Sequence, residues 1–308
     1  MKTALIRSYG EPTVVEIADV DDPILGPDFV LVETAAAGVN PVDWKVVAGY
    51  LQGAFPSHLP VIPGWDIAGT VKAVGPAVTT CKAGDRVAAY TRKDHIQNGT
   101  FTAVAAVPER ALALVPDGVD LVQAGALPLA GLTAEQLLDA ANVTSADTVL
   151  VHAAAGGVGS FAVQLAGLRG ARVIGTASAG NHDYLRDLGV EPESYGDDLV
   201  ANVHEVAPNG VDVVLDLVGG DALAATPRLL ADGGRVVSII DAKTVKELGG
   251  TYVFVRPNGD MLGRLLTLVA DGKLRVEVAE TFPLDEAGAA LEASKSGHTR
   301  GKIVITVP

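Results

Sequence analysis

The segment Val149–Leu165 constrains the fold more than any other part of the chain. It reads Val-Leu-Val-His-Ala-Ala-Ala-Gly-Gly-Val-Gly-Ser-Phe-Ala-Val-Gln-Leu. A short apolar run predicts a buried parallel strand. A glycine-rich turn follows, then a helical pattern with apolar residues at Val158, Phe161, Ala162, Leu165 and Ala166. Strand, glycine turn and helix in that order are how a doubly wound sheet holds a pyrophosphate. Small residues admit the phosphates close to the backbone, and the helix start offers free N–H groups. On the G-x-G-x-x-G template the three positions fall on Ala154, Gly156 and Gly159, so the first glycine is replaced by alanine. The turn Ala155-Gly156-Gly157-Val158-Gly159 is the expected cradle for a dinucleotide.

Bulk properties are consistent with this. At 308 residues the chain exceeds the usual size of one domain. A hydrophobic content of 48% suits strands buried on both faces. The net charge of −14, with no basic patch, argues against a nucleic-acid partner. With Cys81 the single cysteine, no intrachain disulfide and no cysteine-rich zinc site can form, which fits a reducing compartment. No uninterrupted apolar run reaches membrane-spanning length, and the N-terminus lacks a signal-peptide core. The expectation is a cytoplasmic protein with no membrane partner.

Residues 1–117 read as β-rich. Phe29–Thr34 and Ile67–Val74 are predicted strands, punctuated by Gly26-Pro27, Gly75-Pro76 and Gly84-Asp85. From 118 to 255 helices alternate with short apolar strands, which predicts an α/β fold with a parallel sheet. Residues 256–308 end in another strand, Gly301–Val307, expected to return to the first domain.

The end of the second strand carries the adenosine reading. NAD-binding units place an acid there, about 20 residues after the first glycine, to bond the ribose 2′-hydroxyl. Here the residue is Ser178, which favours NADP(H) because a serine can bond a 2′-phosphate that a carboxylate would repel. The same serine can also cap the next helix.

The first domain adds four segments in order. They are Gly38-Val-Asn-Pro-Val-Asp-Trp-Lys45, Pro63-Gly-Trp-Asp-Ile-Ala-Gly-Thr-Val71, Gly84-Asp-Arg-Val87 and Ala126-Leu-Pro-Leu-Ala-Gly-Leu-Thr-Ala134. With the glycine turn they resemble the zinc-independent quinone oxidoreductases, the zeta-crystallin-like branch of the medium-chain dehydrogenase/reductase superfamily. The resemblance implies a GroES-like substrate domain, a Rossmann cofactor domain and a homodimer. Catalytic zinc ligands of related alcohol dehydrogenases would fall on Asn40, Trp65 and Ala130, and none is a cysteine or histidine. No metal site is expected.

The resemblance also places site residues. It implies that Asn40 and Thr133 line the nicotinamide side of the cleft. Asn40 either bonds an acceptor carbonyl or holds the Gly38–Pro41 turn. Trp44 and Tyr50 form the aromatic wall of an acceptor slot, or pack as ordinary core. Asp43 reads as structural, accepting backbone N–H groups. Ser178, Asn181 and Tyr195 match the 2′-phosphate end, with Lys302 as a distant cation or a surface charge. Gly180 stands where family members carry an arginine. Leu217, Val218, Ser238 and Ile239 pass beside the cofactor, and Phe254 and Val255 close over its carboxamide. Tyr50, Lys93 and His95 are the candidate proton donors, His95 reading most simply as a loop residue. The expected activity is NADPH-dependent hydride transfer to quinones or α,β-unsaturated carbonyls. A dedicated enoyl or enone reductase, or a non-catalytic NADPH-binding redox sensor, are the alternatives.

Overall fold

The computed structural model describes residues 1–307. The chain separates into two compact units, Met1–Leu132 with 257–308, and Thr133–Arg256.

The first unit opens with a hairpin of β1 (Lys2–Leu5) and β2 (Glu16–Asp19). It continues through β3 (Phe29–Val39), α1 (Pro41–Val47), β4 (Ser57–Ile62), β5 (Asp66–Val74), β6 (Arg86–Tyr90), β7 (Ile96–Asn98), β8 (Val104–Pro108) and β9 (Leu112–Leu114). Helix α2 (Leu121–Ala126) follows, and α3 (Pro128–Ala140) carries the chain onward into the second unit. Alternation along β3 and β5 turns Val30, Val32, Ile67 and Val71 inward, where they pack with Val87, Ala105 and Val107. Asp120 caps α2 by accepting the Val122 N–H at 2.8 Å. That helix packs on β3 and β5, so residues 118–132 sit with the first unit rather than with the domain expected to start at 118.

The second unit holds β10 (Thr148–Val151), α4 (Gly157–Leu168), β11 (Arg172–Ala177), α5 (His182–Asp187), β12 (Glu191–Ser194), α6 (Leu199–Val206), β13 (Val211–Asp216), α7 (Gly220–Ala225), β14 (Leu230–Ser238), α8 (Ala242–Glu247) and β15 (Thr251–Tyr252). Its six strands are all parallel, in the order β12-β11-β10-β13-β14-β15. Strands β10, β11 and β13 bury both faces, which is why they read as continuous apolar runs. Leu150, Ile174, Val214 and Val236 from the sheet meet Leu199, Val203, Leu223 and Val245 from the helices. The order reverses between β10 and β13, the switch point where such sheets bind ligands at their carboxyl ends.

The chain then returns to the first unit as α9 (Gly259–Ala270), β16 (Val278–Pro283), α10 (Ala287–Ser296) and β17 (Lys302–Thr306). Asn258 caps α9 through the Met261 N–H at 2.9 Å. Strand β17 lies antiparallel to β3, with Ile303 opposite Val39. This return places Lys302 beside the β3–α1 corner. Among the described residues no helix is long and apolar enough to cross a membrane.

Candidate functional site

The glycine turn sits at the carboxyl end of β10, next to the switch point. Its residues do different jobs. A Cβ at Gly159 would lie 2.2 Å from the Ala153 carbonyl oxygen and 2.8 Å from the Ala154 Cα. Only glycine lets α4 approach the strand this closely. A Cβ at Gly156 would meet nothing but the Ala153 oxygen, at 3.3 Å, and the backbone there is ordinary and extended. Gly156 therefore leaves one side of the turn open, as the approach of a pyrophosphate requires. The first N–H groups of α4 lack partners within the helix, as at any helix start, and are available to an anion. The turn fits a dinucleotide. Alanine at 154 is accommodated because residue 175 is glycine, whose added Cβ would sit 2.7 Å from the Ala154 Cβ.

Holding this turn costs strain. Ala153 adopts φ +51°, a left-handed conformation disfavoured by about 1–2 kcal/mol for a residue with a Cβ. Thr176 on β11 grips it. Its hydroxyl oxygen accepts the Ala153 N–H at 3.2 Å and lies 3.3 Å from His152 Nδ1, while its carbonyl accepts the Ala154 N–H at 2.9 Å. His152 is fully buried. Burial holds its imidazole below the usual pKa, against the opposing charge of Asp216.

Asp216 ends β13 and is wholly buried. One carboxylate oxygen accepts the N–H groups of Val218 and Gly219 at 3.1 and 2.8 Å, and the other accepts the Ser238 hydroxyl at 2.6 Å. Ser238 in turn accepts the Ile240 N–H at 3.0 Å. The Ser238 side chain is thus a lock between two loops, with no exposed surface. The sequence expectation set Ser238 beside the cofactor; the structure places its hydroxyl on Asp216. Asp216, Thr176 and His152 were not singled out from the sequence. An aspartate directly before Leu-Val-Gly-Gly is an Asx-turn signal that would have found the first.

Around this frame, Leu217 is half-buried and Val218 is exposed at the end of β13, with half-buried Ile239 after β14. Ser178 is exposed just past β11, and Asn181 donates to its hydroxyl at 3.1 Å. Tyr195 and Phe254 are exposed, and Val255 is half-buried. Thr133 is buried on α3.

In the first unit, Asn40 precedes α1 and is 2% exposed. Its backbone N–H donates to Asp43 at 2.7 Å, the structural role expected of that aspartate. Its side-chain amide donates to Asp66 at 2.9 Å, and its carbonyl oxygen accepts from the Lys302 ammonium. Both ends of the amide are spent inside the unit, so the geometry favours the turn-holding role over a bond to an acceptor. Lys302 is 3% exposed and also donates to the Val39 carbonyl at 2.9 Å. It is neither a surface charge nor a cation free for a 2′-phosphate. It serves instead as the counter-charge of a buried cluster. Asp66 completes that cluster by accepting the Leu129 N–H, at the start of α3, at 2.8 Å. Burial pushes the Asp43 carboxyl up to about 8 and the Asp66 carboxyl up to about 7, and it depresses the Lys302 ammonium. Trp44 and Tyr50 meet edge to face at 5.9 Å, with Tyr50 exposed.

A parallel sheet in this order, with a glycine cradle at its switch point and a separate β-rich unit, defines a two-domain protein of the dinucleotide-binding class. Residues 26–117 match the alcohol dehydrogenase GroES-like domain and residues 192–305 the zinc-binding dehydrogenase domain. The chain is 34% identical over 314 residues to the chloroplastic NADPH-dependent alkenal/one oxidoreductase of Arabidopsis thaliana, spanning 99% of this chain and 79% of that one. The quinone oxidoreductase of Coxiella burnetii superposes with a TM-score of 0.87 at 33% identity, covering 100% of this chain and 99% of that one. A mycobacterial protein solved in complex with NADPH gives a TM-score of 0.86 at 29% identity, covering 99% of this chain and 100% of that one. The chain belongs to the quinone oxidoreductase-like branch of the medium-chain dehydrogenase/reductase family.

Proposed function

We propose that this chain is an NADPH-dependent reductase that delivers hydride to quinones or α,β-unsaturated carbonyl compounds without a metal. The carrying observation is the cradle at Gly156, open on one side and followed by an exposed Ser178 instead of an acid. The alkenal/one and quinone specificities of the relatives support the choice of acceptor. When bound, NADPH supplies the hydride from its nicotinamide ring.

The residues of the chain bind and orient. The N-terminus of α4 takes the pyrophosphate, and Ser178 with Asn181 takes the 2′-phosphate. Leu217 and Val218 lie alongside the ribose, while Tyr195, Phe254 and Val255 supply surface against the two ends of the cofactor. Trp44 and Tyr50, packed edge to face, offer an aromatic wall to a planar acceptor. Such acceptors delocalise the incoming charge over their own carbonyls, so positioning carries most of the rate. A homodimer and a cytoplasmic location belong to the same proposal.

The test is NADPH and NADH oxidation at 340 nm, side by side, with 9,10-phenanthrenequinone and a linear enone, with and without EDTA. Turnover that favours NADPH and is indifferent to EDTA supports the reading. Tight NADPH binding without turnover on any acceptor points instead to a redox sensor.

A further inference from the structure

The segment from Thr91 to Gly99 is a loop of the first unit, yet it is pinned along its length. The Thr91 N–H donates to the Trp65 carbonyl at 2.6 Å, and the Thr91 hydroxyl donates to the same oxygen at 3.0 Å. The Ile96 N–H donates to the Pro56 carbonyl at 2.8 Å and the Gly99 N–H to the Ile62 carbonyl at 2.9 Å. Strand β7 pairs in parallel with β4. The backbone of this loop is therefore held in place.

Beneath the loop lies a small open recess, lined by Val46, Ile62, Trp65, Lys93, His95 and Asn98 among others. Its lining is mixed, with Val46, Ile62 and Trp65 beside the polar side chains of Thr91, Gln97 and Asn98, and Lys93 brings an ammonium to it. Lys93 is half-buried, and its ammonium donates to the Asn98 carbonyl at 3.0 Å. Among the described residues it forms no ion pair, and burial lowers its pKa with no charged neighbour to offset the shift. The flanking charges are turned to other uses: Arg92 sits over the Phe55 ring at 5.9 Å, and Asp94 is exposed. A desolvated ammonium without a counter-ion is costly unless a ligand completes it.

We propose that this cavity is an acceptor subsite in which Lys93 recognises a carboxylate, so that the preferred acceptors are enones or quinones bearing one. The proposal rests on the hydride-transfer reading above. The recess is small and open, far below the volume that encloses a whole small ligand, so only the charged head of the acceptor sits in it. Lys93 supplies a charge-assisted hydrogen bond, and Ile62 and Trp65 pack against the adjoining carbons.

The matched probes are 3-benzoylacrylate and its methyl ester, which differ in charge alone at the recognised end. Lys93→Gln should lower the acid-to-ester ratio of kcat/KM by about ten-fold or more, chiefly through KM for the acid. Lys93→Arg should restore most of the acid's value. Equal losses for acid and ester, or an arginine variant no better than glutamine, would overturn the proposal.

A binding experiment separates this from the activity itself. Trp65 lines the cavity, and Trp44→Phe leaves it as the sole tryptophan. On that background benzoate should quench its fluorescence and benzamide should not, and Lys93→Gln should abolish the difference. If neither enone is reduced, the hydride-transfer reading fails while lysine-dependent benzoate binding still supports the pocket. Benzoate quenching equal with and without Lys93 sinks the pocket whatever the activity.

Discussion

Gly159→Ala and Gly156→Ala should behave oppositely, although the two glycines stand three positions apart in one turn. At Gly159 the added methyl would overlap the Ala153 oxygen at 2.2 Å and the Ala154 Cα at 2.8 Å. Both are backbone atoms, so neither can rotate away, and relief requires α4 to move off β10. Overpacking of this kind costs about 1–3 kcal/mol. At about 2–4 °C per kcal/mol for a domain of this scale, the melting temperature should fall by roughly 2–12 °C. At Gly156 the added methyl has one neighbour, at 3.3 Å, and an unstrained backbone. Its stability should stay within about 0.5 kcal/mol of the parent. Its methyl instead occupies the open side of the cradle, so NADPH affinity should drop by about ten-fold or more. Differential scanning fluorimetry without cofactor and NADPH fluorescence titration read the two effects separately. A Gly159 variant that melts like the parent, or a Gly156 variant that binds NADPH like the parent, would refute the division of roles.

Three further outcomes follow from the buried polar groups and the adenosine end. Asp43 keeps a proton in the folded state up to about pH 8 that the unfolded chain releases near pH 4, so its contribution to stability falls as pH rises across that window. The slope from this group is at most about 1.4 kcal/mol per pH unit, and Asp43→Asn should flatten it between pH 6 and 8 in urea titrations. An unchanged slope contradicts the assignment. Asp216→Ala strands two backbone N–H groups and the Ser238 hydroxyl, and chemical denaturation should show a loss of about 3 kcal/mol or more. Ser178→Asp should shift the kcat/KM ratio of NADPH to NADH by about ten-fold or more toward NADH, and no shift would place the 2′-phosphate elsewhere.

The cradle was legible in the sequence because its chemistry is local. Strand, glycine turn and helix lie within one run of residues, and each glycine requirement is set by neighbours a few positions away. The residue roles that changed all depend on distant pairings. Lys302 reads as a terminal cation until β17 is laid beside β3, which brings it to Asn40 and puts Asp66 across the same corner. Ser238 ends a strand in either reading, and only the register of β14 against β13 turns its hydroxyl toward Asp216. The unit boundary moved for a similar reason. Helix α2 has the alternating pattern of the second half, but its apolar side packs on strands of the first.

The most direct test of the central claim is the fate of the hydride. NADPH carrying deuterium on the reactive face of nicotinamide C4 should pass it to the β-carbon of 3-benzoylacrylate in a single turnover, in metal-free buffer, as read by mass spectrometry and NMR of the product. A reduced product without deuterium, or turnover that appears only when a metal is added, would contradict direct metal-free transfer.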